Sequence, residues 1–149
     1  MKPKAARNIL LILLVFLGLG AIFGGGALII SPGGKLFGMP LSMLANSPFT
    51  NFLIPGFILF TVLGVLPISV SVALVYKPTY KFPELFNFYY DMHWAWTYCI
   101  YIAYALIIWI QFEMYFLGAV HWLHTLYMFL AVAILFVALL PQVRSQYKK

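Results

Sequence analysis

Acid is what this chain has least of. Its 149 residues include three Asp or Glu and nine Lys or Arg, so 8% are charged, while 64% are hydrophobic. Average globular domains are roughly half apolar and about a quarter charged. So few charges cannot cover a water-soluble domain of this size, and so much apolar surface is incompatible with a disordered chain. Cysteine is almost absent. Cys99 stands alone, which excludes an internal disulfide, a CxxC redox centre and a cysteine-based zinc site. With Tyr98 and Ile100 beside it, it reads as a small buried hydrophobe. A phosphate-cradling glycine loop, a pair of facing acids and a nucleophile–base pair are also lacking, so no cofactor is expected and an enzyme is the less favoured class.

What is present is apolar sequence in four long runs. The first, Ile9 to Ile30, follows the basic start Lys2, Lys4, Arg7. As a helix it would be about 33 Å long, enough to cross a bilayer. It exceeds a usual signal-peptide core and no A-x-A site follows it, so it reads as a retained span. The second runs from about Pro55 to Tyr76, with Pro67 near its middle predicting a kink, and with Thr61, Ser69 and Ser71 able to satisfy freed carbonyls. The third runs from about Trp94 to Phe116 and the fourth from about His121 to Leu140. Only Leu117-Gly118-Ala119-Val120 separates the last two, which predicts a tight helical hairpin turning at Gly118. The expected fold is therefore all-α: one integral membrane domain over residues 1–149, a four-helix transmembrane bundle.

The first connection, Ser31 to Asn51, is rich in Pro and Gly, and Leu41 to Ala45 reads as a short interfacial helix. Lys77 to His93 mixes Lys77, Lys81, Glu84 and Asp91 with six Phe or Tyr side chains, which suits a headgroup-level loop. Asp91 is placed to cap the third span. No internal repeat supports an inverted-repeat transporter.

Four spans put both termini on one side. Lys2, Lys4, Arg7, Lys77, Lys81, Arg144, Lys148 and Lys149 then share that side, and Lys35 alone lies opposite. The positive-inside rule assigns that side to the cytoplasm of a cell membrane, and Trp94 and Trp96 against Trp109 and Trp122 read as inner and outer aromatic belts. The net charge of +6 thus orients the chain in anionic lipid, and no nucleic-acid partner is expected.

Two features can carry function. Gly18, Gly20, Gly24, Gly25 and Gly26 in the first span allow close helix approach, within the bundle, at an oligomer or partner seam, or as a groove for a lipid tail. At the outer end of the hairpin, Glu113 of the third span matches His124 of the fourth in depth and Gln111 matches Thr125, while His121 shares a helical face with His124. Glu113 is the only acid on that side, and an ionisable residue there is a functional-site hypothesis. A hairpin-closing hydrogen bond, a ligand- or partner-binding site and a proton-handling site are the competing roles. A metal site of Glu113, His121 and His124 is the remote option, because the spacing is not H-E-x-x-H. His93 and His124 lie at opposite faces and cannot share one haem.

The run Pro32-Gly33-Gly34, Gly38-Met39-Pro40, Ser47-Pro48-Phe49 and Ile54-Pro55-Gly56, with Trp109-Ile110-Gln111 and Pro141-Gln142-Val143-Arg144, resembles a group of small four-span bacterial membrane proteins. The resemblance implies a four-span bundle and carries over no activity and no functional residue. Vitamin K epoxide reductase-like proteins and disulfide-bond oxidases need cysteine pairs. Small multidrug exporters need a carboxylate in the first span, which is missing here. The reading that results is a non-enzymatic multi-pass protein, either an accessory subunit or a binder of lipid or small lipophiles through its outer surface. Its partners would be membrane lipids, with a homo-oligomer or larger membrane complex as the further option. A proton-coupled transporter or membrane enzyme using Glu113 with His121 or His124 is the alternative.

Overall fold

Helices apolar on every side cannot bury all their faces in so small a bundle, so the surplus apolar surface must meet lipid. A computed structural model describing residues 1–149 has this character. The chain is 74% helical without strands, and four helices are long and apolar enough to span a membrane. These are α1 (Pro3–Ile30), α2 (Leu53–Tyr76), α4 (Trp94–Leu117) and α5 (Trp122–Leu139). Two short helices, α3 (Lys81–Leu85) and α6 (Pro141–Arg144), border them at the end where the chain begins and finishes.

Along α1, Leu10, Leu14, Leu17, Ala21 and Leu28 recur every three or four residues and are buried, while Ile12, Phe16, Leu19 and Phe23 point outward. α1 starts earlier than its apolar run, because Pro3 occupies the first turn, where a missing N–H costs nothing. In lipid, apolar side chains gain little by leaving the solvent, so close packing decides which helices touch. Here α1 and α2 make the closest seam. A Cβ at Gly25 would stand 2.6 Å from Phe60 N and 2.7 Å from Gly56 O, and one at Gly64 would stand 3.1 Å from Ile22 N. Gly18 faces Ile68 and Gly64, Gly24 faces Leu59, Gly26 faces the Phe60 ring, and Gly20 faces Tyr127 of α5. Whereas Gly24 and Gly26 have room for a Cβ, Gly18, Gly20 and Gly25 of α1 are thus required by packing inside this chain. Their partners Gly56 and Gly64 complete a seam that the sequence reading saw from one side only.

α2 is not a uniform α-helix. Thr61–Val65 winds as a π turn immediately before Leu66-Pro67. A proline at 67 leaves the carbonyl four residues back, Leu63, without its usual donor. The expectation that Thr61, Ser69 and Ser71 satisfy it is corrected. They donate to Phe57 O (2.8 Å), Val65 O (2.9 Å) and Pro67 O (2.8 Å), each reaching its own preceding turn. The chain widens the helix instead, a known use of π bulges.

The loop after α1 is shaped by turns. Gly34 and Gly38 have φ of +76° and +63°, Met39 N–H donates to Gly34 O (2.9 Å), and Phe52 N–H donates to Pro32 O (2.9 Å). Lys35–Phe37 and Leu41–Leu44 form 3₁₀ turns, and Leu44 and Phe52 pack on Leu28 as a small buried cluster. The predicted helix from Leu41 is therefore a single tight turn.

At the opposite end the carboxyl-terminal residues are built into the fold. Met92 and Lys148 pair as an isolated antiparallel bridge. Lys149 N–H donates to Asp91 O (2.8 Å), His93 N–H donates to Tyr147 O (2.7 Å), and Gln146 Nε2 donates to Pro3 O (2.9 Å). Tyr147 is buried and its hydroxyl donates to Leu74 O at 2.9 Å. That burial pushes its pKa up to about 12.

Two readings of this end are corrected. Asp91 does not cap α4. The His93 ring takes that position, its Nδ1 accepting from Ala95 N–H at 3.2 Å, while Asp91 offers its backbone oxygen to Lys149. Trp94 and Trp96 do not form an outward belt either. Both are buried, donating to Pro78 O (2.9 Å) and Ala138 O (2.7 Å). An indole inside a bundle needs a carbonyl partner, and both find one.

Candidate functional site

α4 ends in a left-handed Gly118, φ +61°, and the chain turns back at once into α5. This tight reversal sets Glu113 and His124 at equal depth on facing helices, and their side chains meet, His124 Nε2 lying 3.4 Å from Glu113 Oε2. One helical turn before Glu113, Trp109 Nε1 donates to Oε1 at 2.8 Å. His124 is buried, whereas the Glu113 side chain keeps 32% of its surface open.

The two histidines play unlike roles. His121 is the N-cap of α5. Its Nδ1 accepts from Leu123 N–H (3.4 Å), and its own N–H donates to His124 Nδ1 (3.0 Å), a capping box made of two imidazoles. Because His124 Nδ1 is an acceptor, the neutral ring carries its proton on Nε2, the nitrogen 3.4 Å from Glu113 Oε2.

The other predicted site residues lie elsewhere. Gln111 is two residues from Glu113, hence on the far side of α4, and is exposed; Thr125 is exposed on α5. Neither bonds the other. Nor do Glu113, His121 and His124 form a metal triad. No group of three His, Cys, Asp or Glu side chains converges anywhere in the chain, and both Nδ1 atoms are occupied by the cap.

Two apolar grooves meet at Glu113. The first, about 570 Å³, runs between α2 and α4 beneath the first loop and is walled by Phe49, Phe52, Ile58, Phe112 and Phe116. The second, about 650 Å³, runs between α1 and α5 past Gly20, Gly24, Phe37, His124 and Tyr127. Leu28, Met39, Leu63, Trp109, Glu113 and Leu117 line both. The proline-rich loop and the Glu113–His124 pair, separate in sequence, thus border the same space. Gly20 and Gly24 contribute by having no side chain there. Trp109 and Tyr127 were not among the sequence-stated site residues. The spacing Trp109–Glu113, one turn apart on a helix, was the available signal for the first.

A second polar cluster lies at the terminal end. Buried Asn87 is fully satisfied. Its Oδ1 accepts from Thr97 Oγ1 (2.6 Å) and Tyr89 N–H (3.2 Å), and its Nδ2 donates to Glu84 Oε1 (3.0 Å) and Met92 O (2.8 Å). Glu84 also pairs with Lys149. Burial opposes ionisation of Glu84, but the hydrogen bonds and charge of Lys149 and the Asn87 amide outweigh it and hold the carboxyl below its ordinary range. Desolvation keeps His93 below the ordinary histidine value. With every polar atom paired, this cluster holds the loops together.

Comparison with protein-family models, with curated proteins and with solved structures gives no match. The function therefore rests on the geometry.

Proposed function

We propose that this chain is a non-enzymatic multi-pass membrane protein that binds a lipid or another small lipophile in the outer half of its bundle, or serves a larger complex as an accessory subunit through the same surface. The observation that supports the reading is the pair of apolar grooves joined at one carboxyl group. Small-molecule sites are mostly apolar concavities of about 300–1,000 Å³ with a few placed polar groups, and both grooves fall in that range. The orientation belongs to the same proposal. Pro3 and Gln146 are hydrogen-bonded, so eight of the nine basic residues gather at the terminal end, which the positive-inside rule assigns to the cytoplasm. The grooves then open toward the outer leaflet.

Native mass spectrometry of protein extracted in mild detergent tests this. A bound lipid, lipophile or partner subunit is expected. Gly24→Leu, which fills the second groove where a Cβ meets only Leu59 at 3.6 Å, should reduce the small-molecule adduct. A clean monomer without bound mass would refute the proposal.

The Glu113–His124 contact favours a second reading, in which the pair handles protons for transport or membrane chemistry, with His121 and Tyr127 as the titratable neighbours. It requires an activity that changes between about pH 5 and pH 8 and is lost in Glu113→Gln.

A further inference from the structure

The hydrogen-bond capacity left open at Glu113 defines the chemistry of what the grooves accept. An ionised carboxylate is acceptor-only and offers about four lone-pair sites. One donor bonds it, Trp109 N–H at 2.8 Å, and His124 Nε2 lies 3.4 Å from its other oxygen. Trp109 N–H is spent on Oε1, and the remaining carboxylate lone pairs stay open. Tyr127 adds a hydroxyl, able to donate and to accept, in the second groove. The Nε2 of His121 is at the exposed mouth, where water serves it.

Charge points the same way. No Lys or Arg lines either groove. Protonating His124 Nδ1 would cost the bond it accepts from His121 N–H, which disfavours the cation. The carboxylate therefore has one hydrogen-bond donor, Trp109, and no lysine or arginine beside it. A buried charge without a partner is costly, and a bound cation relieves that cost.

We propose that the grooves take an amphiphile whose head is a protonated amine, seated on Glu113, with hydrocarbon running into the grooves on either side. The ammonium supplies both missing quantities, donors for the open lone pairs and a positive charge for the carboxylate. An anionic head finds no lysine or arginine here. This inference rests on the lipophile-binding reading above and adds the class of ligand.

The test uses the full chain in phosphatidylcholine nanodiscs at neutral pH, titrated with tetradecylamine, tetradecanol or tetradecanoic acid. Trp109 lines both grooves, so the part of the tryptophan fluorescence response lost in Trp109→Phe reports occupancy whatever the head group. The amine should bind at least about tenfold more tightly than the alcohol, the low end of what a charge-assisted hydrogen bond supplies. In Glu113→Gln, which keeps size and polarity, that preference should fall to about twofold or less while alcohol binding persists. Comparing the two proteins in the same bilayer cancels the unequal partitioning of the probes. Equal binding of amine and alcohol to the wild type, or tighter binding of the acid, overturns the amine assignment and leaves the lipophile reading standing. Amine preference that survives Glu113→Gln overturns it as well. Absence of any saturable Trp109 response to all three probes overturns both. Should Glu113→Gln fail to fold, Gly24→Leu decides: it must weaken amine and alcohol alike, and unchanged amine binding refutes the grooves as the site.

Discussion

Alanine at Gly25 and alanine at Gly26 add the same methyl group to adjacent positions of α1, and the packing predicts opposite outcomes. At Gly25 the new Cβ would stand 2.6 Å from Phe60 N, 2.7 Å from Gly56 O and 2.9 Å from Phe60 Cα. All three are backbone atoms of α2, so no side chain can swing aside. Restoring ordinary contact at 3.4 Å requires a shift of 3.4 − 2.6 = 0.8 Å between the helices. Overpacking of this kind costs about 1–3 kcal/mol, against a gain of about 1 kcal/mol for replacing Gly by Ala inside a helix. The net effect is a loss of about 0–2 kcal/mol. At Gly26 the nearest atoms are in the Phe60 ring at 3.7 and 3.8 Å, so the methyl fits and the gain of about 1 kcal/mol is kept. The two variants should therefore differ by about 1–3 kcal/mol, Gly26→Ala being the more stable. Equilibrium unfolding in mixed micelles with increasing SDS measures the difference, with maleimide labelling of the buried Cys99 as the reporter of opening. Equal stability of the two variants, or greater stability of Gly25→Ala, would refute the assignment of this seam.

The terminal end should loosen in acid. His93 is held below its ordinary value of 6.5 and Glu84 below 4.5, so in both cases the unfolded state binds protons more readily. The stabilisation is complete above the ordinary values. The histidine part is lost as pH falls from 6.5 toward the depressed folded value, and the glutamate part only below 4.5, through its own depressed folded value. Amide exchange at His93 and Lys149 should accelerate first in the histidine window, and exchange unchanged down to about pH 4 would contradict this. Tyr147→Phe removes the hydroxyl that serves Leu74 O and should cost about 1–3 kcal/mol through the unsatisfied carbonyl, read as a lowered SDS midpoint. For sidedness, Gly33→Cys is the suitable outer probe, since nothing lies within 4 Å of its Cβ, whereas a side chain at Gly34 would collide with Met39 O at positive φ. Gly33→Cys should label with an impermeant maleimide from outside and Lys148→Cys only after permeabilisation; the reverse pattern would sink the orientation.

Hydropathy made four long helices and the Gly118 hairpin legible, because both signals are local. It was least informative where packing partners are distant in sequence. The α1 glycines were visible as a motif, but their function depends on Gly56 and Gly64, unremarkable until α1 and α2 are laid together. The π turn at Thr61–Val65 was hidden for a related reason. Proline at 67 announces that the regular ladder must fail, and not how the backbone absorbs the failure. The tryptophans mislead most. Belts of Trp at a bilayer boundary are a statistical tendency, and here Trp94, Trp96 and Trp109 all spend their N–H on partners within the chain, leaving Trp122 as the one largely exposed indole. Charge asymmetry therefore carries the orientation without independent support from aromatic position.

The histidines explain why the site was only half legible. In sequence His121 and His124 read as binding residues, remote metal ligands or proton carriers, because imidazole titrates near neutrality. All three histidines use Nδ1 to accept a backbone N–H: His93 from Ala95, His121 from Leu123, His124 from His121. That is the work usually done by Ser, Thr, Asp or Asn at a helix start, and this chain has almost no acid to spare for it. Capping through Nδ1 disfavours the cation, so the same bond that begins α5 fixes the neutral tautomer of His124, and Glu113 has no lysine or arginine partner in the grooves. Scarcity of charge thus reaches from composition to chemistry. Exchanging His124 for Asn, which preserves an acceptor for the cap, should therefore leave the fold intact, whereas His124→Lys would supply the missing cation and close the site to an amine.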